Sequence, residues 1–517
     1  MKPLDSRARS RHAALFCATA ALVTSITPTP PAHAAPTAET PQFTHCPDDV
    51  PAPAAPDRID CATLRVPLDW DRPDGPHLRL AVSRVAATGT AAERRGVLLV
   101  NPGGPGGSGL GYAATKRAKL PASVRRSYDV IGFDPRGTGR SSPADCGPMG
   151  GLFETPGADP IPPPGTTAPR SPTGTARLPA PLRPLHASLK RTAQDCAQGI
   201  GDALPHLNTT NTARDMDAVR AALGEPRISY LGVSYGSYLG AAYTALYPRR
   251  VDRMVLDSVV GPESWHAFDL RQATALLGQR DTLFDWLAAH PGRFRLGADR
   301  ERVRAAYTRA RSALAAAPED GFGPAEFDRA VYRSLGRTER WTALGDGIRD
   351  YLDHRAVTAL RPAEPFSGQA SRTYEAANRA VKCADGPGPT PPRVSAQLRR
   401  LLRLDPLPVV TGMEAWSCAY WAHRPAHRTA LGSAAPPVLL VASEHDPVTP
   451  IAGAHALRRR LPGSRLVTLH DDYSHGVFAS RGNACVDGAA GSYLVGGEVP
   501  PRDVHCAGPG LPEPSAR

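Results

Sequence analysis

Three residues far apart in this chain, Ser234, Asp446 and His475, have the types and settings that acyl transfer requires. Ser234 lies in Gly232-Val233-Ser234-Tyr235-Gly236, between an apolar β-branched run (Ile228 to Val233) and a helix-like apolar stretch. A serine at such a strand-to-helix turn is held in strained backbone geometry, and only glycine fits beside it without a Cβ clash. The turn lifts the hydroxyl off the strand, and the helix N-terminus favours negative charge developing there. Asp446 follows a second buried-strand pattern, Pro437 to Ala442, and His475 follows a third, Leu466 to Leu469. In these roles Ser234 attacks a carbonyl and His475 takes its proton, later returning it to the leaving group. Asp446 fixes the imidazole tautomer and stabilises the imidazolium.

Other residues compete for two of these roles. Glu444 and Asp257 also follow strand patterns and are alternative acids. A lone aspartate after a strand is ordinarily a turn former or a cap, so the case for Asp446 rests on its place between the elbow and the last histidine. His470 stands at its strand end and reads as structural, and His445 reads as a surface residue. His475 lies beyond the strand, where a loop can bend back over the serine. Upstream, Gly96 to Val100 runs into Asn101-Pro102-Gly103-Gly104-Pro105-Gly106-Gly107-Ser108-Gly109. Glycines after a strand leave backbone N–H groups open, so Gly104 and Tyr235 are the expected oxyanion-hole donors. The segment lacks the Gly-Lys-Ser/Thr ending of a phosphate loop and the G-x-G-x-x-G spacing of a dinucleotide site.

The elements that must position these residues are strands alternating with helices, with the order Ser, Asp, His that α/β-hydrolases use. The pieces NPGGPGGSG, DVIGFDPRGTGRSS (129–142), ISYLGVSYGSYLG, SEHDPVTP and SHG together resemble the secreted tripeptidyl aminopeptidase and proline iminopeptidase branch of the α/β-hydrolases. Pro102 stands where several iminopeptidases carry histidine, which fits the tripeptidyl branch better. The resemblance implies hydrolysis of short peptides, tripeptides foremost, from a free N-terminus, without cofactor or metal. A secreted carboxylesterase or lipase-like enzyme is the alternative, because its triad chemistry is the same. An aminopeptidase needs a carboxylate for the substrate ammonium, and Glu263, Asp385 and Glu414 are candidates by location.

The fold expected is α/β, an α/β-hydrolase with a mostly parallel central sheet and an inserted, mainly helical cap. Residues 35–261 and 431–517 form the two parts of the core. Residues 62–86 alternate apolar and polar positions and read as a hairpin at the sheet edge. Thr212 to Leu223 reads as an amphipathic helix. Residues 262–430 read as the cap, inserted between the sixth and seventh strands, with helices over 273–289, 299–316, 324–335, 341–352, 371–381 and 395–404. Such a cap would roof the serine, with Trp416, Tyr420 and Trp421 either lining the cleft or packing cap against core.

Composition bounds the rest. The 517 residues suffice for one large hydrolase domain with an insertion. The net charge of +12 comes from scattered arginines, without the aromatic-interleaved patch of a nucleic-acid binder. Residues 1–34 read as an export signal: a basic start, an apolar stretch over 13–26 too short to span a bilayer comfortably, and Ala32-His33-Ala34 as cleavage site. The product is then secreted, with no stable membrane insertion. Beyond Cys17 the even set of cysteines suggests disulfides between sequence neighbours: Cys46 with Cys61, Cys146 with Cys196, Cys383 with Cys418, and Cys485 with Cys506. None forms a C-x-x-C zinc pattern. The Pro/Thr/Gly-rich stretch 150–184 reads as a long surface loop.

Overall fold

Continuous apolar runs such as Val97-Leu98-Leu99-Val100 have no polar face to offer solvent, so they must be covered on both sides. The computed structural model describes residues 40–50, 58–147, 182–361, 369–404, 414–425, 427–432 and 436–515, and it shows how they are covered. One sheet carries β1 (Thr44–His45), β2 (Ile59–Pro67), β3 (His77–Val85), β4 (Gly96–Asn101), β5 (Tyr128–Phe133), β6 (Ile228–Val233), β7 (Val251–Asp257), β8 (Leu439–Ser443), β9 (Arg465–His470) and β10 (Val504–Ala507). The spatial order is β1-β2-β3-β5-β4-β6-β7-β8-β9-β10. From β5 through β10 every pairing is parallel, whereas β1, β2 and β3 pair antiparallel at one edge. Successive side chains point to opposite faces. Leu99, Tyr230, Leu256 and Leu440 therefore enter one apolar core, while Leu98, Leu231, Val255 and Leu439 enter the other.

Between β7 and β8 the described chain is helical: Trp265–Ala289, Arg300–Ala316, Pro324–Leu335, Trp341–His354, Gln369–Ala384 and Pro391–Leu404. Much of this stretch has its own apolar core, including Leu283, Phe284, Phe294, Val331, Trp341 and Tyr351. The insertion point is one strand later than the sequence count, because the two-residue β1 escapes any periodicity test. Strand β10, held parallel to β9, was likewise not read from the sequence.

Helix starts differ where a cap went unread. The first inserted helix begins at Trp265 because the Ser264 side chain accepts from the Ala267 N–H at 3.4 Å. The helix Thr209–Ala222 begins where Asn208 accepts from the Asn211 N–H at 2.8 Å. Both are ordinary N-caps. The expected surface loop ends early, since Leu182–Ile200 is helical, and most of that loop lies outside the described residues. The segment read as a signal also lies outside them. All four neighbour disulfides form. Trp416 and Trp421 are buried, Trp416 beside Leu182 and Leu185 and Trp421 in the sheet core, and Tyr420 bonds to His186, so these three pack the inserted region against the core.

Candidate active site

Ser234 occupies φ 60° and ψ −125°, a conformation hostile to a side-chain-bearing residue. The flanking glycines are demanded by close approach. A Cβ on Gly232 would lie 2.2 Å from the Gly236 carbonyl oxygen, and one on Gly236 would lie 2.8 Å from the Asn101 carbonyl oxygen. The turn is pinned from below, where the Ser234 N–H donates to the Asp257 carbonyl at 2.9 Å.

The glycine-rich loop lies directly on this turn. A Cβ on Gly103 (φ 93°) would fall 2.4 Å from the Val233 carbonyl oxygen and 2.9 Å from Ser234 Cβ. The Gly103 N–H is taken by Asn101 Oδ1 at 2.9 Å and the Gly107 N–H by the Gly103 carbonyl at 3.1 Å. Among the described residues no protein acceptor sits on the N–H of Gly104 or Tyr235. Asp134 anchors the far end of the loop through Ser108 Oγ (2.6 Å) and the Gly109 N–H (2.9 Å).

Asp446 and His475 meet. His475 Nδ1 donates to Asp446 Oδ2 at 2.8 Å. The same carboxylate accepts from Thr449 Oγ1 at 2.7 Å and from the N–H groups of Val448 (2.8 Å) and Thr449 (3.0 Å). These partners leave no freedom of orientation, and they assign the proton to Nδ1, so Nε2 is the basic nitrogen. Burial alone would raise the Asp446 carboxyl, but the His475 charge and the hydrogen bonds outweigh it and hold the group below the usual range. Burial likewise opposes imidazolium formation at His475, yet the Asp446 carboxylate, helped by Asp257, raises its pKa. Ser234 Oγ and the ring sit on adjoining loops without a hydrogen bond between them. Contacts of this kind commonly tighten only when substrate binds.

The two alternative acids have other employment. Asp257 is fully buried and accepts from the N–H groups of Val477 and Phe478, each at 3.0 Å. With its carbonyl on the Ser234 N–H, it fastens the Ser234 turn to the loop carrying His475. Glu444 points outward and accepts from the Asp471 N–H at 3.1 Å. His470 faces Glu444 and His505, and His445 is exposed and stacks on Tyr473.

Two inserted segments touch the site. The His475 N–H donates to the Gly336 carbonyl at 3.3 Å. A Cβ on Gly104 would lie 3.1 Å from the Tyr374 ring, and Asn378 Nδ2 donates to the Pro105 carbonyl at 3.1 Å. Behind Tyr374, Lys382 joins Asp269 at 3.1 Å and also Glu414. Asp269 is wholly buried, whereas the Glu414 side chain is 33% exposed. Asp385 is buried and spent on Thr209 (2.7 Å) and Trp265 (3.0 Å), and Glu263 pairs with Arg271 at 3.4 Å. Of the three carboxylates named from sequence, Glu414 has the most exposed side chain, and it shares Lys382 with the buried Asp269.

Sequence reasoning missed Thr449, Asp134 and the Asp269–Lys382 pair. Thr449 had a signal, since a hydroxyl three residues after an aspartate at a turn is a common local partner. Asp134 had one too, an Asp-Pro directly after β5. Asp269 and Lys382 had none, being 113 residues apart.

A family model described as alpha/beta hydrolase fold matches residues 96–479. The tripeptidyl aminopeptidase of Streptomyces lividans is 37% identical over 477 residues, covering 89% of this chain and 86% of its own. The serine protease Hip1 of Mycobacterium tuberculosis is 32% identical over 492 residues, covering 90% of each. Carboxylesterase B of the same species is 33% identical over 473 residues, covering 86% of each.

Proposed function

The chain belongs to the tripeptidyl aminopeptidase branch of the α/β-hydrolase fold family, and from that premise we propose that it is a secreted serine exopeptidase releasing short peptides, tripeptides foremost, from free N-termini. The observation that carries the chemistry is the His475–Asp446 bond of 2.8 Å on a loop adjoining the strained Ser234 turn. Ser234 Oγ attacks the scissile carbonyl while His475 Nε2 takes its proton. The N–H groups of Gly104 and Tyr235 receive the oxyanion. His475 then protonates the leaving amine, and water, activated by the same ring, releases the acyl group.

The inserted helices act as the cap. Its helix Gln369–Ala384 sets Tyr374 at the mouth of the oxyanion loop, where the residue is 39% exposed, and Glu414 beyond it receives the substrate ammonium. A charge held at one end and a reacting carbonyl at the other fix the count of residues between them, roughly 3.3–3.6 Å of chain per residue. Export through residues 1–34 agrees with four disulfides, which persist in oxidising compartments. No described helix is long and apolar enough to cross a membrane.

The test is hydrolysis of matched anilides of one, two and three residues, with free and acetylated N-termini, beside a short aryl ester. Ser234→Ala supplies the blank. Cleavage confined to the free-amine tripeptide is the expected result. Turnover of the ester with no free-amine peptide cleaved would move the enzyme to the esterase class, the reading that the carboxylesterase relative favours.

A further inference from the structure

On the outer rim of the sheet, beside but apart from the triad, a second cluster of side chains converges. Glu444 and His445 follow β8, and Asp471 follows β9. One ligand atom from each lies within 4.8 Å of the other two. We propose that these three residues form a surface site for a divalent transition metal of the zinc class, which clasps together the loops carrying Asp446 and His475.

The backbone holds the site in shape without the ion. The Glu444 N–H donates to the Leu469 carbonyl at 2.9 Å and the His445 N–H to the Asp472 carbonyl at 3.0 Å. The His445 ring is fixed by stacking on Tyr473, centroids 4.5 Å apart and planes at 21°. Glu444 and Asp471 bring two negative charges, and among the described residues neither pairs with a lysine or arginine. His470 Nδ1 faces Glu444 Oε2 at 3.1 Å, and His470 Nε2 faces His505 Nδ1 at 2.8 Å. This imidazole pair would orient the glutamate from behind, as outer ligand partners do.

The donor set selects the ion. One imidazole nitrogen with two carboxylates suits zinc, water completing the tetrahedron, whereas calcium takes six to eight oxygens and magnesium keeps most of its water. The ion has no part in the chemistry. It would tie the acid's loop to the base's loop across β8 and β9, and its effect is on stability.

The experiment is calorimetric titration of the chelator-stripped full enzyme with zinc chloride, paired with thermal melts and assay of the free-amine tripeptide anilide. One site and a raised melting midpoint are expected. Glu444→Gln and His445→Ala should each weaken zinc at least about tenfold while leaving metal-free turnover unchanged. His505→Ala, which removes only a partner of His470, should weaken zinc less than either of those substitutions. Calcium bound as tightly as zinc would overturn the choice of metal. Zinc binding that is absent, or that survives both substitutions at full strength, would overturn the site. Inhibition by zinc that persists in His445→Ala would put the ion on the triad instead and would equally overturn the site.

Discussion

The sheet and the helical insertion hold their charged groups by opposite means. At the ends of β6 and β8, Ser234 and Asp446 are set mainly by neighbours within a few residues in sequence: glycines flanking Ser234, and the turn of Asp446 through Thr449. In the insertion, Lys382 is set by Asp269 and Glu414, which come from two other segments. Geometry that local turns create can be very exact and still tolerate change elsewhere. Geometry built from distant partners depends on the packing of whole helices. Under the proposed function, bond cleavage belongs to the sheet and choice of substrate to the insertion.

Removing the nucleophile should cost most. Ser234→Ala is expected to lower kcat by about a millionfold, as loss of a triad serine does. Its melting midpoint should stay near wild type, since the hydroxyl makes no capping bond. Residual turnover within about a hundredfold of wild type would place the chemistry elsewhere. Asp446→Asn comes next, with kcat reduced on the order of ten-thousandfold through the wrong imidazole tautomer. Equal losses on ester and peptide substrates are the mark of a residue serving cleavage alone, and a loss confined to peptides would break the division of labour.

These sheet residues were legible from sequence because each leaves a short-range trace. A serine between glycines after an apolar β-branched run, an Asp-Pro past a strand and a Ser-His-Gly past another are local patterns, and the disulfides joined sequence neighbours. What was not legible depends on contacts across the fold. Asp257 reads as a possible triad acid until its carboxylate is seen holding Val477 and Phe478, 220 and 221 residues away. β1 is too short for any periodicity, and Trp416 and Trp421 show only in the folded chain that they face a core.

The insertion's cluster can be broken from either side. Lys382→Met strands two buried or half-buried carboxylates, and loss of one partner from a buried ion pair costs about 3–5 kcal/mol. A melting midpoint lowered by less than a degree would show that the charges are not held in the packed interior. Glu414→Gln keeps the shape and removes the exposed charge. It should raise KM for free-amine tripeptide anilides roughly ten- to hundredfold, the value of a charge-assisted hydrogen bond. The aryl ester and acetylated peptides should be untouched. A matching loss on the ester would turn Glu414 into a structural residue and leave amine recognition to another group.

The smallest effect tests the sheet at its finest. Only neutral His475 can take the serine proton, so kcat/KM must fall as pH drops through the pKa of that ring. Burial lowers this pKa and the Asp446 carboxylate more than restores it, leaving the group above 6.5. The acid limb of the free-enzyme profile should therefore have its midpoint above 6.5, and the loss should lie on the acid side because it is protonation that disables the base. In Asp446→Asn the carboxylate is gone while the burial remains, so the remaining activity should show a limb displaced to lower pH. A wild-type midpoint below 6.5, or a limb that Asp446→Asn leaves in place, would mean that the carboxylate orients the ring without setting its charge.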